Sequence, residues 1–139
     1  MSDIEPRLYI IMREDIWDMN PGKGMAQAAH AQAVFDDYVS KYANDLYVKE
    51  VDLDPAFINS VQDWRGDRGF GVTTVLSAPA IDISLILESM PYAGIVVDPT
   101  YPYRNYYGKV FTSSEITCAW VFATTEEEIE YMKQWKLHP

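Results

Sequence analysis

The sequence predicts an α/β fold, a three-layer sandwich in which a mixed or mainly parallel four-stranded sheet is flanked by helices. Short apolar runs of strand length, such as LYIIM at 8–12 and GIVVD at 94–98, alternate with longer segments of helical spacing. The chain has 139 residues, of which 48% are hydrophobic, enough to form a core without metals or disulfides. No repeat or low-complexity tract interrupts it, so we expect a single domain over 1–139.

The first half of the chain is expected to form a strand followed by two helices. The strand covers 8–13, and a polar turn rich in helix-start residues leads into a helix over about 23–42. Residues 43–56 have the composition of a loop. Within them Asp54 is placed to cap a short helix that starts at Pro55.

The second half is expected to contribute three strands and two helices. The strands are FGVTTVLS at 70–77, GIVVD at 94–98 and TCAWVFA at 117–123. Pro79 begins the helix that follows the first of these. The segment 99–116 is rich in tyrosine and is expected to be irregular, with a possible β-excursion. Thr125 and Glu128 have the spacing of a capping box, which predicts the start of the last helix.

One segment, MNPGKGMAQAAHA at 19–31, combines small residues with three polar side chains at helical spacing. Lys23, Gln27 and His30 lie four and three residues apart and therefore share one helix face. A lysine in the first turn opposes the helix dipole, which favours a functional role for Lys23. A single histidine on such a helix is more often a hydrogen-bonded structural residue than a catalyst.

Asp98 ends the apolar strand at 94–98 and is the second candidate for chemistry. Ligands of open α/β sheets collect at the carboxyl ends of strands, and Lys23 opens the helix after the first strand. Both side chains are therefore expected at the same edge of the sheet. A carboxylate in this position is as often a turn former as a base. Its pairing with Lys23 favours a catalytic role for Asp98.

Composition excludes several classes of function. The single cysteine, Cys118, lies in an apolar strand pattern, so we expect a buried inert thiol, no internal disulfide and a cytoplasmic setting. Two histidines, one of them His138 in a terminus expected to fray, cannot supply a typical zinc site, and we expect no cofactor. No apolar run is long enough to span a membrane. The net charge of −10 opposes nucleic-acid binding unless basic residues cluster locally.

The segment 19–31 resembles the part of type II peptidyl-tRNA hydrolases, the archaeal and eukaryotic kind, that reads roughly M-G-K-G-K-I-A-A-Q-x-A-H-A. The two align without a gap, and Lys23 falls on the family's catalytic lysine. Pro21 replaces the family's first lysine. The outright matches include Ala26, Gln27, Ala29 and His30.

A second segment, GIVVDPTYP at 94–102, resembles the family's strand that ends in D-A-G-x-T. Asp98 matches the catalytic aspartate, but the family threonine would fall on Pro102. Thr100 or Thr117 is a possible replacement, although neither is in register. The last strand resembles the family's T-V-L-A-I-G-P after about seven extra residues, and LYIIMRED at 8–15 resembles its first strand.

The resemblance implies hydrolysis of the ester that joins a peptidyl or N-blocked aminoacyl group to the 3′ end of tRNA, and it suggests a homodimer. It implies catalytic roles for Lys23, Asp98 and Thr100. It implies substrate contacts for Arg13, Gln27, His30, Tyr101, Arg104 and Thr117. The tyrosines at 101–107 are expected either to pack a long loop or to stack on a nucleobase.

Two other functions stay open at this point. The altered Asp98 segment and the acidic charge are also compatible with a catalytically silent module of the same fold that binds RNA or a protein. A different acyl ester, or D-aminoacyl-tRNA, is a third and weaker possibility.

Overall fold

The computed structural model describes residues 4–16, 19–43, 55–104 and 107–139. The elements in chain order are β1 (Arg7–Arg13), α1 (Pro21–Ala43), α2 (Pro55–Arg65), β2 (Thr73–Ala78), α3 (Ala80–Ser89), β3 (Ala93–Arg104), β4 (Val110–Ala123) and α4 (Glu126–Met132). A short 3-10 turn, Gly66–Arg68, separates α2 from β2. The predicted cap Asp54 lies outside the described residues.

The four strands form one sheet in the order β2-β1-β4-β3. β1 and β2 are parallel, whereas β4 is antiparallel to both β1 and β3. The predicted α/β class with a mixed sheet is confirmed. The expectation of a mainly parallel sheet is wrong, because β4 turns back from β3 as a hairpin and enters the sheet beside β1.

The β3–β4 hairpin is longer than predicted and absorbs most of the segment expected to be irregular. β3 does not end at Asp98 but continues to Arg104, and β4 begins at Val110 rather than at residue 117. The register shifts between Asp98 and Tyr101. Pro99 and Pro102 are tolerated there because β3 is an edge strand, where a missing N–H leaves no neighbouring strand unpaired.

Helices pack against both faces of the sheet. On one face, α1 and α2 enclose an aromatic cluster in which Phe35 lies 5.2 Å from Trp120 and 5.4 Å from Phe122, ring centroid to ring centroid. On the other face, α3 and α4 contribute Ile86 and Met132 to a second cluster. The first of these clusters fixes α1 across the sheet, which determines where its polar face meets β3.

Hydrogen bonds fix both the start of α4 and the segment that follows it. The predicted capping box is confirmed, because Thr125 Oγ1 accepts from the N–H of Glu128 at 3.2 Å. The Glu128 carboxylate accepts from the N–H of Thr124 at 3.1 Å. Beyond α4, the N–H of His138 donates to Val75 O at 2.9 Å and Leu137 forms a bridge with β2, so the expectation that this terminus frays is wrong.

None of the helices in the described parts of the chain combines the length and the apolar character needed to cross a membrane.

Candidate functional site

The N-terminus of α1 presents Lys23 to the outer half of β3. Asn20 caps the helix, because its Oδ1 accepts from the N–H of Lys23 at 2.9 Å. The Lys23 ammonium donates to Pro102 O at 2.6 Å and lies 5.2 Å from the centre of the Tyr101 ring. The helix start and the β3 strand therefore meet through a cation, a carbonyl group and an aromatic face.

One turn further along α1, Gln27 links the helix to Asp98. Its Nε2 donates to Asp98 Oδ2 at 2.8 Å, and its Oε1 accepts from the Thr117 hydroxyl at 2.5 Å. Gln27 is only 3% exposed and Thr117 is fully buried. A continuous hydrogen-bonded chain thus runs from β4 through α1 to the carboxylate on β3, and it fixes the orientation of that carboxylate.

Asp98 remains strongly acidic in this setting. The pKa of Asp98 is lowered chiefly by the hydrogen bond from Gln27, although partial burial acts in the opposite direction. The Thr100 N–H donates to Asp98 Oδ1 at 2.9 Å and its hydroxyl at 3.4 Å, and the charge of His30 also lowers the pKa. A carboxylate held in this way is ionised at neutral pH and suits the orientation of a water molecule better than removal of its proton.

His30 lies at the surface of α1 rather than deep in the site. It follows Gln27 by three residues on the same helix face, and its charge contributes to the lowered pKa of Asp98. His30 is thus more exposed than Lys23. The buried polar position on this face belongs to Gln27.

The structure brings together Lys23, Gln27, Asp98, Thr100 and Thr117 around the α1–β3 contact. Two other predicted site residues have partners of their own. Arg104 donates to Gly108 O at 3.0 Å across the hairpin turn. Tyr101 is fully buried, and its hydroxyl donates to Met19 Sδ at 3.6 Å, as the packing alternative expected.

Arg13, at the end of β1, is part of an ionic network with Asp15 and Glu115. Its Nε donates to Asp15 at 2.8 Å, and its guanidinium lies 3.6 Å from Glu115. Burial and a hydrogen bond to Glu115 raise the pKa of Tyr103 to about 12, so this phenol stays neutral. Sequence reasoning missed Glu115, because its role depends on the pairing of β3 with β4 and no local pattern indicates it.

Cys118, on β4, contacts the backbone of α1 at Gln27. It is fully buried, its thiol donates to Gln27 O at 3.5 Å, and burial raises its pKa to about 12. A thiol with such a pKa does not form the nucleophilic thiolate at neutral pH. The predicted burial of the Cys118 thiol is confirmed, and its raised pKa agrees with the expected lack of reactivity.

Within the described residues, no group of three or more histidine, cysteine or carboxylate side chains is arranged to hold a metal ion. No model of a known protein family matches the chain, and no curated protein matches it either.

Proposed function

We propose that the protein hydrolyses the ester bond of peptidyl-tRNA or of an N-blocked aminoacyl-tRNA and releases the tRNA. The observation that carries the proposal is the hydrogen bond between Gln27 and Asp98, 2.8 Å long. It joins the two segments, 19–31 and 94–102, that separately resemble type II peptidyl-tRNA hydrolases. Residues about 70 positions apart in sequence thus contribute to one polar site.

In the proposed mechanism, Asp98 orients the attacking water through an oxygen lone pair and the chain from Thr117 through Gln27 holds the carboxylate in place. The Lys23 ammonium carries three donors, and we assign it to the oxyanion that forms on the ester carbonyl. Thr100, which contacts Asp98, is assigned to the water or to the leaving ribose oxygen. His30 and Arg104 are assigned to the surface around the substrate.

We extend the proposal to the layer architecture, the cellular location and the assembly of the protein. Apolar clusters on both faces of the sheet support a three-layer sandwich. We further propose a cytoplasmic protein, because its tRNA substrate is produced and used there, and a homodimer by resemblance to the family.

The test is turnover of N-acetylaminoacyl-tRNA by the wild-type protein and by two single variants, Lys23→Ala and Asp98→Asn. Each variant should lose about 10²–10³-fold in kcat, the usual effect of removing an oxyanion donor or a group that positions water. Lys41→Ala is the matched control, because Lys41 is an exposed lysine on the same helix whose partner is Asp37. Turnover by the wild type that is no faster than that of the Lys23→Ala and Asp98→Asn double variant would exclude the enzymatic function.

A second candidate is a silent module that binds RNA through the same site. Two observations favour it: both Asp98 oxygens accept hydrogen bonds, and the Lys23 ammonium donates to Pro102 O. A carboxylate and a cation that are engaged in this way bind a polar ligand without necessarily activating water. Binding of deacylated tRNA together with an absence of ester cleavage would identify this function.

A further inference from the structure

A second concave site lies on the other side of the α1 start, at the carboxyl ends of the parallel strands β1 and β2. We call it the edge pocket and define it by Arg13, Glu14, Met19, Ser77, Lys136 and His138. Its volume is about 200 Å³. Since a water molecule occupies about 30 Å³ in the liquid, the pocket has room for a phosphate group and part of a sugar. Carboxyl ends of parallel strands are the usual place for ligands in α/β sheets.

The floor of the edge pocket is a hydroxyl paired with an imidazole. Ser77 Oγ lies 2.9 Å from His138 Nδ1, and Ser77 is only 3% exposed. When the imidazole donates through Nδ1, the serine hydroxyl is left to donate to an anion in the pocket. The pair is held by the backbone, because the N–H of Ser77 donates to Lys136 O at 2.9 Å.

Among the side chains that line the edge pocket, Arg13 and Lys136 are cations and Glu14 is a carboxylate, in a protein of net charge −10. Lys136 is 75% exposed, and its ammonium lies 3.6 Å from Glu14. Exposed pairs of this kind contribute little free energy, so an incoming anion can displace the carboxylate. Arg13 brings a planar guanidinium suited to phosphate, although Asp15 and Glu115 share it.

The edge pocket is adjacent to Lys23. A Cβ atom built on Gly24 would lie 3.1 Å from His138 Nε2, so the imidazole packs against the residue that follows Lys23. Met19 lines the pocket and also accepts the Tyr101 hydroxyl, whose ring lies beneath the Lys23 ammonium. A single ligand that is bound at Lys23 can therefore extend into the pocket.

We propose that the edge pocket is a subsite for the phosphate of a nucleotide at the 3′ end of RNA. Arg13 and Lys136 provide the positive charge, Ser77 provides a hydroxyl donor, and Met19 contacts the sugar. The inference deepens the proposed function and rests on it, because it assigns the phosphate to the acceptor end whose ester lies at Asp98.

The experiment measures binding of 5′-AMP, adenosine and inorganic phosphate to the full-length protein by calorimetry and NMR. The wild type should bind 5′-AMP, and Lys136→Gln should weaken this binding about tenfold, the scale of one lost hydrogen bond to a charged group. Lys133→Gln is the matched control, since Lys133 is an exposed lysine paired with Glu130 on α4 and lies outside the pocket. It should leave binding unchanged.

A second variant changes binding in the opposite direction. Glu14→Gln removes the carboxylate that competes for Lys136 and should strengthen 5′-AMP binding roughly threefold, on the scale of an exposed charge pair. Because Glu14 is exposed, a folding defect does not mimic this gain.

Four results would overturn the inference. They are equal affinity for adenosine and 5′-AMP, binding of inorganic phosphate without 5′-AMP, an equal loss in Lys133→Gln, and no binding of 5′-AMP by the wild type. Failure of the proposed function is distinguishable, because it appears as absent turnover while 5′-AMP still binds. If both hold, Lys136→Gln raises KM for N-acetylaminoacyl-tRNA and leaves kcat near the wild-type value.

Discussion

The Asp98 site and the edge pocket lie on the two sides of the α1 start, one toward β3 and the other toward β2, and they differ in how their polar groups are satisfied. At the Asp98 site, buried side chains bond to one another in a chain from Thr117 through Gln27. In the edge pocket, the Lys136 ammonium faces solvent and its partner is loose, at 3.6 Å from Glu14. The first arrangement fixes a geometry, whereas the second can exchange a partner for a ligand.

This difference predicts unequal effects on stability. Thr117→Val keeps the shape of the side chain but removes the donor to Gln27 Oε1, and a buried acceptor left without its partner costs about 1–3 kcal/mol. Ser77→Ala removes a hydroxyl at the floor of an open pocket, where water can satisfy His138, so its cost should stay below about 1 kcal/mol. Urea denaturation of both variants measures the two free energies of unfolding. A larger loss for Ser77→Ala would contradict the comparison.

A smaller effect concerns the charge state of Asp98. Gln27→Leu removes the strongest influence that lowers the pKa of Asp98, so this pKa should rise toward its ordinary value. Because the folded pKa is depressed, the ionised carboxylate stabilises the fold above the ordinary pKa of aspartate. That contribution is lost as pH falls through the lower folded value. The variant should therefore show a weaker dependence of stability on pH in the acid range.

NMR titration of the Asp98 carboxyl carbon measures this pKa directly, and urea denaturation at several acid pH values measures the linked stability. Gln32→Leu is the control, because Gln32 donates to Asp36 on the same helix at 3.1 Å and lies away from Asp98. An unchanged Asp98 pKa in Gln27→Leu would mean that Gln27 does not control the carboxylate.

Much of the Asp98 site could be predicted from the sequence because it depends on local spacing. Lys23 and Gln27 share a face on any helix that starts near Pro21, and the apolar run before Asp98 is typical of a strand. The extension of β3 to Arg104 could not be predicted, because it depends on pairing with β4. Hydrogen bonds between strands stabilise segments whose own composition is that of a loop.

The edge pocket could not be predicted in the same way. Ser77 and His138 are 61 residues apart and belong to no motif. Their approach depends on the chain after α4 returning along the open edge of β2, where Lys136 O and Val75 O accept backbone hydrogen bonds. A histidine near a chain end gives no sequence signal of such an anchor. The strand order β2-β1-β4-β3 could not be predicted for the same reason, since it depends on long-range pairing.

The smallest expected effects come from the two histidines, and they separate the two regions in one experiment. His30 lowers the pKa of Asp98 only through its charge, so His30→Gln should raise that pKa by less than Gln27→Leu does. It should leave 5′-AMP binding unchanged.

His138→Gln should weaken 5′-AMP binding, because it disturbs the Ser77 hydroxyl. It should leave the Asp98 titration unchanged, because His138 is not among the groups of the described residues that shift the pKa of Asp98. NMR titration and calorimetry on the same two proteins give all four values. If either substitution moved both quantities, the two regions would be one coupled site, and the phosphate subsite would have to be treated as part of the Asp98 centre.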